Sequence, residues 1–180
     1  VTKVKTTNET ENNVTNPTAT LQPDDELFLA IGANETWTVR FIVQANANTA
    51  PDIKFSVTAP AGATCTVGVA DHEAGASISN LGCGVSSGLI AGTSANEVYE
   101  VVATVTNGGT AGNVTLNWAQ NTGSALNTVV LAGSSLHATS TTSTGSAIIQ
   151  DGNTFGAPIT IGSNDSNDLN FETNATTRMT

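Results

Sequence analysis

"ETWTVRFIVQ", residues 35–44, alternates with a period of two: Trp37, Val39, Phe41 and Val43 share one parity, and Thr36, Thr38, Arg40 and Gln44 mostly take the other. A β-strand sends successive side chains to opposite faces, so this pattern predicts a strand with one buried face. The same reading extends in both directions. "IKFSVTA" places Ile53, Phe55 and Val57 together, and "TCTVGVA" places Cys65, Val67 and Val69 together. "EVYEVVATVT" groups Tyr99, Val101, Ala103 and Val105, and "NVTLNWA" groups Val114, Leu116 and Trp118. A last run, "NTVVLAGSSLHA", carries a bend at Gly133.

The separators "NANTAPD", "APAGA" and "TNGGTAGN" hold the Gly, Asn and Pro that turns require. The Asn107-Gly108-Gly109 step between two alternating runs predicts a hairpin. No stretch of helical length shows a 3.6-residue period. Short strands at regular spacing predict an all-β fold, an antiparallel sandwich or jelly-roll-like domain over 24–138. Residues 1–23 read as an extended N-terminal arm with room for a short edge strand, because Pro17 and Pro23 interrupt any helix. Residues 139–147 read as a Ser/Thr linker, and 148–180 as a β-rich segment. Between 70 and 96 the alternation fades into Gly and Ser. This stretch is either a long loop, including one that covers a sheet edge, or an irregular strand pair.

Composition limits the function classes. The 180-residue chain has a formal net charge of −10, with five Lys and Arg in total. That basic content leaves little to neutralise phosphates, so neither nucleic acid nor an anionic membrane is expected as a partner. Charged residues make up 11%, against ~25% in ordinary soluble domains. The surface is therefore built from Thr, Ser, Asn, Gly and Ala. No apolar run reaches the ~18 residues of a membrane-spanning helix. No leader segment is visible, and a start at Val1 rather than Met is compatible with removal of one.

Candidate chemistry is sparse. Cys65 and Cys83 form no CxxC motif; buried free thiols are the expectation, with a disulfide as the alternative. His72 and His137 lack metal-ligand spacing, and no zinc site is expected. Asp24, Asp25 and Glu26 form a carboxylate cluster at a strand entry, and a solvated turn guarding an edge is expected over a Ca²⁺ site. Asp165 and Asp168 lie in "SNDSND", which lacks the Gly and distal Glu of an EF-hand loop. No G-x-S-x-G motif occurs and neither His has a partner in sequence, so the chain is not expected to be an enzyme or to hold a cofactor or metal. Trp37, Tyr99 and Trp118 all fall on apolar parity, which assigns them to the core rather than to sugar stacking. Any glycan site is expected on 70–96. The N-x-S/T sequons at Asn8, Asn13, Asn34, Asn113, Asn164 and Asn174 are ordinary for an Asn- and Thr-rich chain.

Several stretches resemble a known group. "VKTTNETENN", "LQPDDELFLAIGANETW", "TAPDIKFSVTAPAGAT" and "GGTAGNVTLNWAQNTGSALNTVVLAGSSL" resemble a domain of tailed-bacteriophage virion proteins of the tail-fibre or minor structural type. The likeness spans 30–137 and, less closely, 5–30, and leaves out 70–96. "GNTFGAPITIGSNDSNDLNFETNATTRMT" is similar to a repeat of phage fibres that often precedes an endosialidase-type chaperone domain. In that family "TRMT" runs on into Ile or Leu and further repeats, so the resemblance implies either a fragment or a partly ordered chain. The resemblance implies a trimeric fibre segment and a place in the virion.

Energetics point the same way for residues 150–180. Their large apolar side chains are Phe155, Ile159, Ile161, Leu169, Phe171 and Met179. Ordering the backbone costs ~1–2 kcal/mol per residue, and burying one such side chain returns only ~1.5–3 kcal/mol. A single copy cannot close a core, whereas copies around an axis can pool theirs. Phe155, Ile159, Ile161, Leu169 and Phe171 are therefore the expected trimer interface. The expected function is a structural virion protein, a fibre or decoration protein. Its sandwich docks on capsid or tail proteins, and its C-terminus begins a homotrimeric fibre. The alternatives are a receptor-recognition module binding host surface glycans, and a bacterial surface adhesin module.

Overall fold

The computed structural model describes residues 1–11, 19–73 and 75–141 with their side chains, and the backbone of 171–173 and 176–179. The fold is all-β, with more than half of the described residues in strands. Antiparallel sheets pack as a sandwich, and no helix occurs among the described residues. The strands are β1 (Thr2–Val4), β2 (Glu9–Glu11), β3 (Gln22–Ile31), β4 (Thr36–Ala47), β5 (Lys54–Thr58), β6 (Thr64–Asp71) and β7 (Ser77–Leu81). They continue with β8 (Asn96–Thr106), β9 (Gly112–Ala119), β10 (Thr128–Val130), β11 (Ser135–Ser140), β12 (Phe171–Thr173) and β13 (Thr176–Met179).

The larger sheet runs β1-β11-β4-β8-β6-β7, with β10 also pairing β4 and carrying β2 on its other side. The smaller sheet runs β3-β9-β5. Residues Val1–Ser143 form one compact unit and Thr144–Thr180 a second, in which β12 and β13 pair as an antiparallel hairpin.

Alternation in sequence becomes the core directly. Val39, Phe41, Val43, Phe55, Val57, Tyr99, Val101, Leu116 and Trp118 are all fully buried, and Trp37 packs partly buried against them. The two faces meet where the Phe55 ring of the smaller sheet lies 5.4 Å from the Tyr99 ring of the larger one. The expected bend at Gly133 separates β10 from β11, and its φ of 92° is one that glycine adopts without a steric penalty.

Several expectations are corrected. The Asn107-Gly108-Gly109 step is not a hairpin: β8 pairs β4 and β6, whereas β9 pairs β3 and β5. The turn carries the chain between sheets. Asn107 secures it, donating its side-chain amide to Gly32 O at 2.6 Å and Thr110 O at 2.8 Å. The arm holds the short edge pairing for which it had room, since β1 pairs β11 and β2 pairs β10. The sandwich thus begins before residue 24 and runs to Ser140. Cys65 and Cys83 are not free thiols but a disulfide with Cα atoms 5.0 Å apart.

The stretch 70–96 realises more than one of its readings. β7 adds an edge strand to β6. The following residues then line the outer edge of β5 in the other sheet. Gly84 N donates to Val57 O and Ser87 N to Phe55 O, each at 2.8 Å, and Ile53 and Ile90 exchange a backbone pair.

Candidate functional site

The densest polar constellation lies where β1 and β2 of the larger sheet approach β3 of the smaller one. It starts with a bulge. Pro23 pairs Asn117 and Phe28 pairs Thr115, so Asp24–Leu27 stand out of the ladder. Asp24 holds this excursion, its Oδ1 accepting from the amides of Glu26 at 3.0 Å and Leu27 at 2.8 Å. Lys5 approaches from the arm. Its backbone is tied to the β10–β11 connection, its N–H donating to Ser134 O at 2.7 Å and its C=O accepting from Gly133 N at 2.9 Å.

The Lys5 ammonium is fully buried and donates to Glu9 at 2.9 Å, Asp25 at 3.0 Å and Asp24 at 3.1 Å. Glu26 lies 3.9 Å away. Glu26 also accepts the N–H and O–H groups of both Thr6 and Thr7 at 2.7–3.1 Å. Beside it, the Lys3 ammonium sits 3.9 Å from the centroid of the Phe28 ring.

Burial alone would discharge Lys5, but its hydrogen bonds to Glu9, Asp25 and Asp24 outweigh that and raise its pKa. Burial raises the Glu9 carboxyl, with Lys5 opposing. The hydroxyls of Thr6 and Thr7, helped by their amides, bring Glu26 down to about 2. A lysine held this firmly as an ammonium is no nucleophile. The carboxylate oxygens of Glu9, Asp24 and Asp25 come within 4.8 Å of one another, a spacing that a cation could bridge. The lysine ammonium already occupies that role. The expectation of a solvated turn is corrected for Asp24, which is 1% exposed, and kept for Asp25, whose side chain is 71% exposed. The constellation is an ionic junction that fastens the arm across the sandwich.

Two further polar groupings flank the core. Glu97 is buried, and its Oε2 accepts from Tyr99 Oη at 2.8 Å and Thr93 N at 3.0 Å, while its Oε1 has no partner among the described residues. Burial, then the bond to Glu97, raises the Tyr99 phenol. On the outer face of the larger sheet, Glu100 bonds Arg40 and lies 3.1 Å from His72 Nε2; Arg40 is the main cause of its lowered pKa. Next to it, a shallow groove of about 250 Å³ is lined by Gly68, Ala70, Ile78, Glu100 and Val102 among others. It includes part of the stretch on which a glycan site was expected, but no aromatic ring lines it. Trp118 and Tyr99 are fully buried instead.

The side chains of the expected trimer interface, Phe155, Ile159, Ile161, Leu169 and Phe171, lie outside the described residues, as do Asp165 and Asp168. Lys5 and Glu9 were not singled out from sequence. The available signal was a lone lysine in a polar arm upstream of three consecutive acids. Comparison with protein-family models, curated proteins and solved structures finds no match.

Proposed function

We propose that the chain is a structural component of a bacteriophage virion, with a sandwich that docks on the particle and a C-terminal segment that begins a trimeric fibre. One observation supports this reading above the others: the chain divides into a sandwich unit over Val1–Ser143 with a complete core and a second unit over Thr144–Thr180. The second has few large apolar side chains for its length and gains a core by pooling them with copies. Charged residues make up only 11% of the chain, which leaves room for like chains to pack closely away from the acids that give the net charge of −10. The sandwich itself is closed on both flanks, by the Lys5 junction and by the Cys65–Cys83 disulfide. Such closure fits a module that bears load rather than one that turns over a substrate.

Light scattering on two forms tests the reading. The full chain is expected to be trimeric at micromolar concentration, and a form ending at Ser143 to be a folded monomer. A trimeric truncated form would make the sandwich the assembling unit. A monomeric full chain would sink the fibre reading.

A further inference from the structure

The Cys65–Cys83 bond joins two sheets through one short segment. Cys65 lies on β6 of the larger sheet, and Cys83 opens the segment 82–90 that lines the β5 edge of the smaller sheet. We propose that this disulfide is a redox-operated latch, and that reduction lifts residues 82–89, hinged at the buried Ile90, and leaves β5 with an open edge.

Three features make the segment a cover held from outside rather than a strand held by its own packing. Its contacts with β5 are chiefly hydrogen bonds: Gly84 N to Val57 O, Ser87 N to Phe55 O, and Phe55 N to Ser87 Oγ at 3.0 Å. Apart from Ser87, its one buried side chain is Ile90, at the far end from the disulfide, while Val85 and Leu89 are largely exposed. It contains Gly82, Gly84 and Gly88, the last two in the left-handed region with φ of 73° and 72°. Glycines release much conformational entropy when freed, so the segment has little of its own to hold it down. Both cysteines are only partly buried, within reach of a small thiol.

The step is a thiol–disulfide exchange. A thiolate of a small thiol attacks one sulfur and forms a mixed disulfide, and a second thiol resolves it. Cys65 and Cys83 gain two electrons and two protons as thiols, and the reductant leaves as its own disulfide. β5 keeps its other edge, where Lys54–Thr58 pair with β9, so the core stays closed. Phe55 and Val57 then present unpaired backbone groups to an incoming strand, while Ile53 keeps its pair with Ile90. The inference does not depend on the virion reading.

Residue-resolved amide exchange by NMR on the full chain, with and without a phosphine reductant, tests the latch. The amides of Gly84, Ser87 and Phe55 should exchange on the order of 100-fold faster after reduction. Those of Val101 and Leu116, in the core strands, should hold. Reoxidation should restore protection, and the double variant Cys65→Ser/Cys83→Ser should show the reduced pattern without reductant. Unchanged exchange at Gly84, Ser87 and Phe55 would mean that the cover holds alone. A collapse of protection at every site, or an unfolded double variant, would mean that the bond holds the whole fold. Either outcome overturns the latch.

Discussion

Lys5 Nζ and Asp24 Oδ1 lie 3.1 Å apart with both side chains sealed from solvent, although 19 residues separate them in sequence. The pair joins the first strand region of the larger sheet to the bulge of the smaller one. On the other flank, the Cys65–Cys83 disulfide does the same covalently. An antiparallel sandwich is weakest where its two sheets part at their edges, and here both flanks are tied.

Lys5→Met should destabilise the sandwich by about 3–5 kcal/mol, because it leaves Asp24 buried without its counter-ion. Adding Asp24→Asn should recover part of the loss, since an amide oxygen still caps Glu26 and Leu27 without a buried charge. Urea denaturation of the two variants measures both effects. A loss below 1 kcal/mol in the single variant would show that the junction is not buried in solution.

Acid should loosen the arm at Glu26. Its carboxyl sits at about 2 in the fold against an ordinary 4.5. Its contribution is therefore present above pH 4.5 and fades as pH falls towards 2. Glu9, raised by burial, acts in the opposite sense, favouring the fold below its ordinary pKa and losing that contribution as pH rises through its folded value. Amide shifts of Thr6 and Thr7 followed by NMR should hold steady through pH 4.5 and move only as pH approaches 2. A midpoint near 4.5 would contradict the Thr–Glu26 staple.

Tyr99→Phe should cost about 1–3 kcal/mol with little change in packing, because buried Glu97 loses one of its donors while its Oε1 has none among the described residues. Thermal or urea unfolding checks this. A neutral result would indicate that Glu97 is solvated.

Gly92→Ala should destabilise by about 1–3 kcal/mol, because the added Cβ would stand 2.4 Å from Ala47 O, a backbone atom with little room to move. Gly109→Ala meets nothing within 4 Å and should stay within about 0.5 kcal/mol of the parent. Equal stability of the two variants would contradict the close approach of 92 to 47.

Sequence alone determined which side chains face inward. Val39, Phe41 and Val43, or Tyr99 and Val101, sit on one parity, and the two-residue strand period turns that parity into a face without reference to any partner. It also determined the class, because no stretch carried a helical period. Partnership was left to the tertiary structure. Strands β8 and β9 alternate alike on either side of an Asn-Gly-Gly turn, yet enter different sheets, since alternation names the buried face but not the neighbour. Asp24 reads as one of three exposed acids until the bulge turns it inward and Lys5 arrives from the arm. Cys65 and Cys83 read as two separate thiols until β7 and the turn after it bring their Cα atoms to 5.0 Å. These features depend on residues remote in sequence meeting in space, which the local rules of period and turn chemistry do not encode.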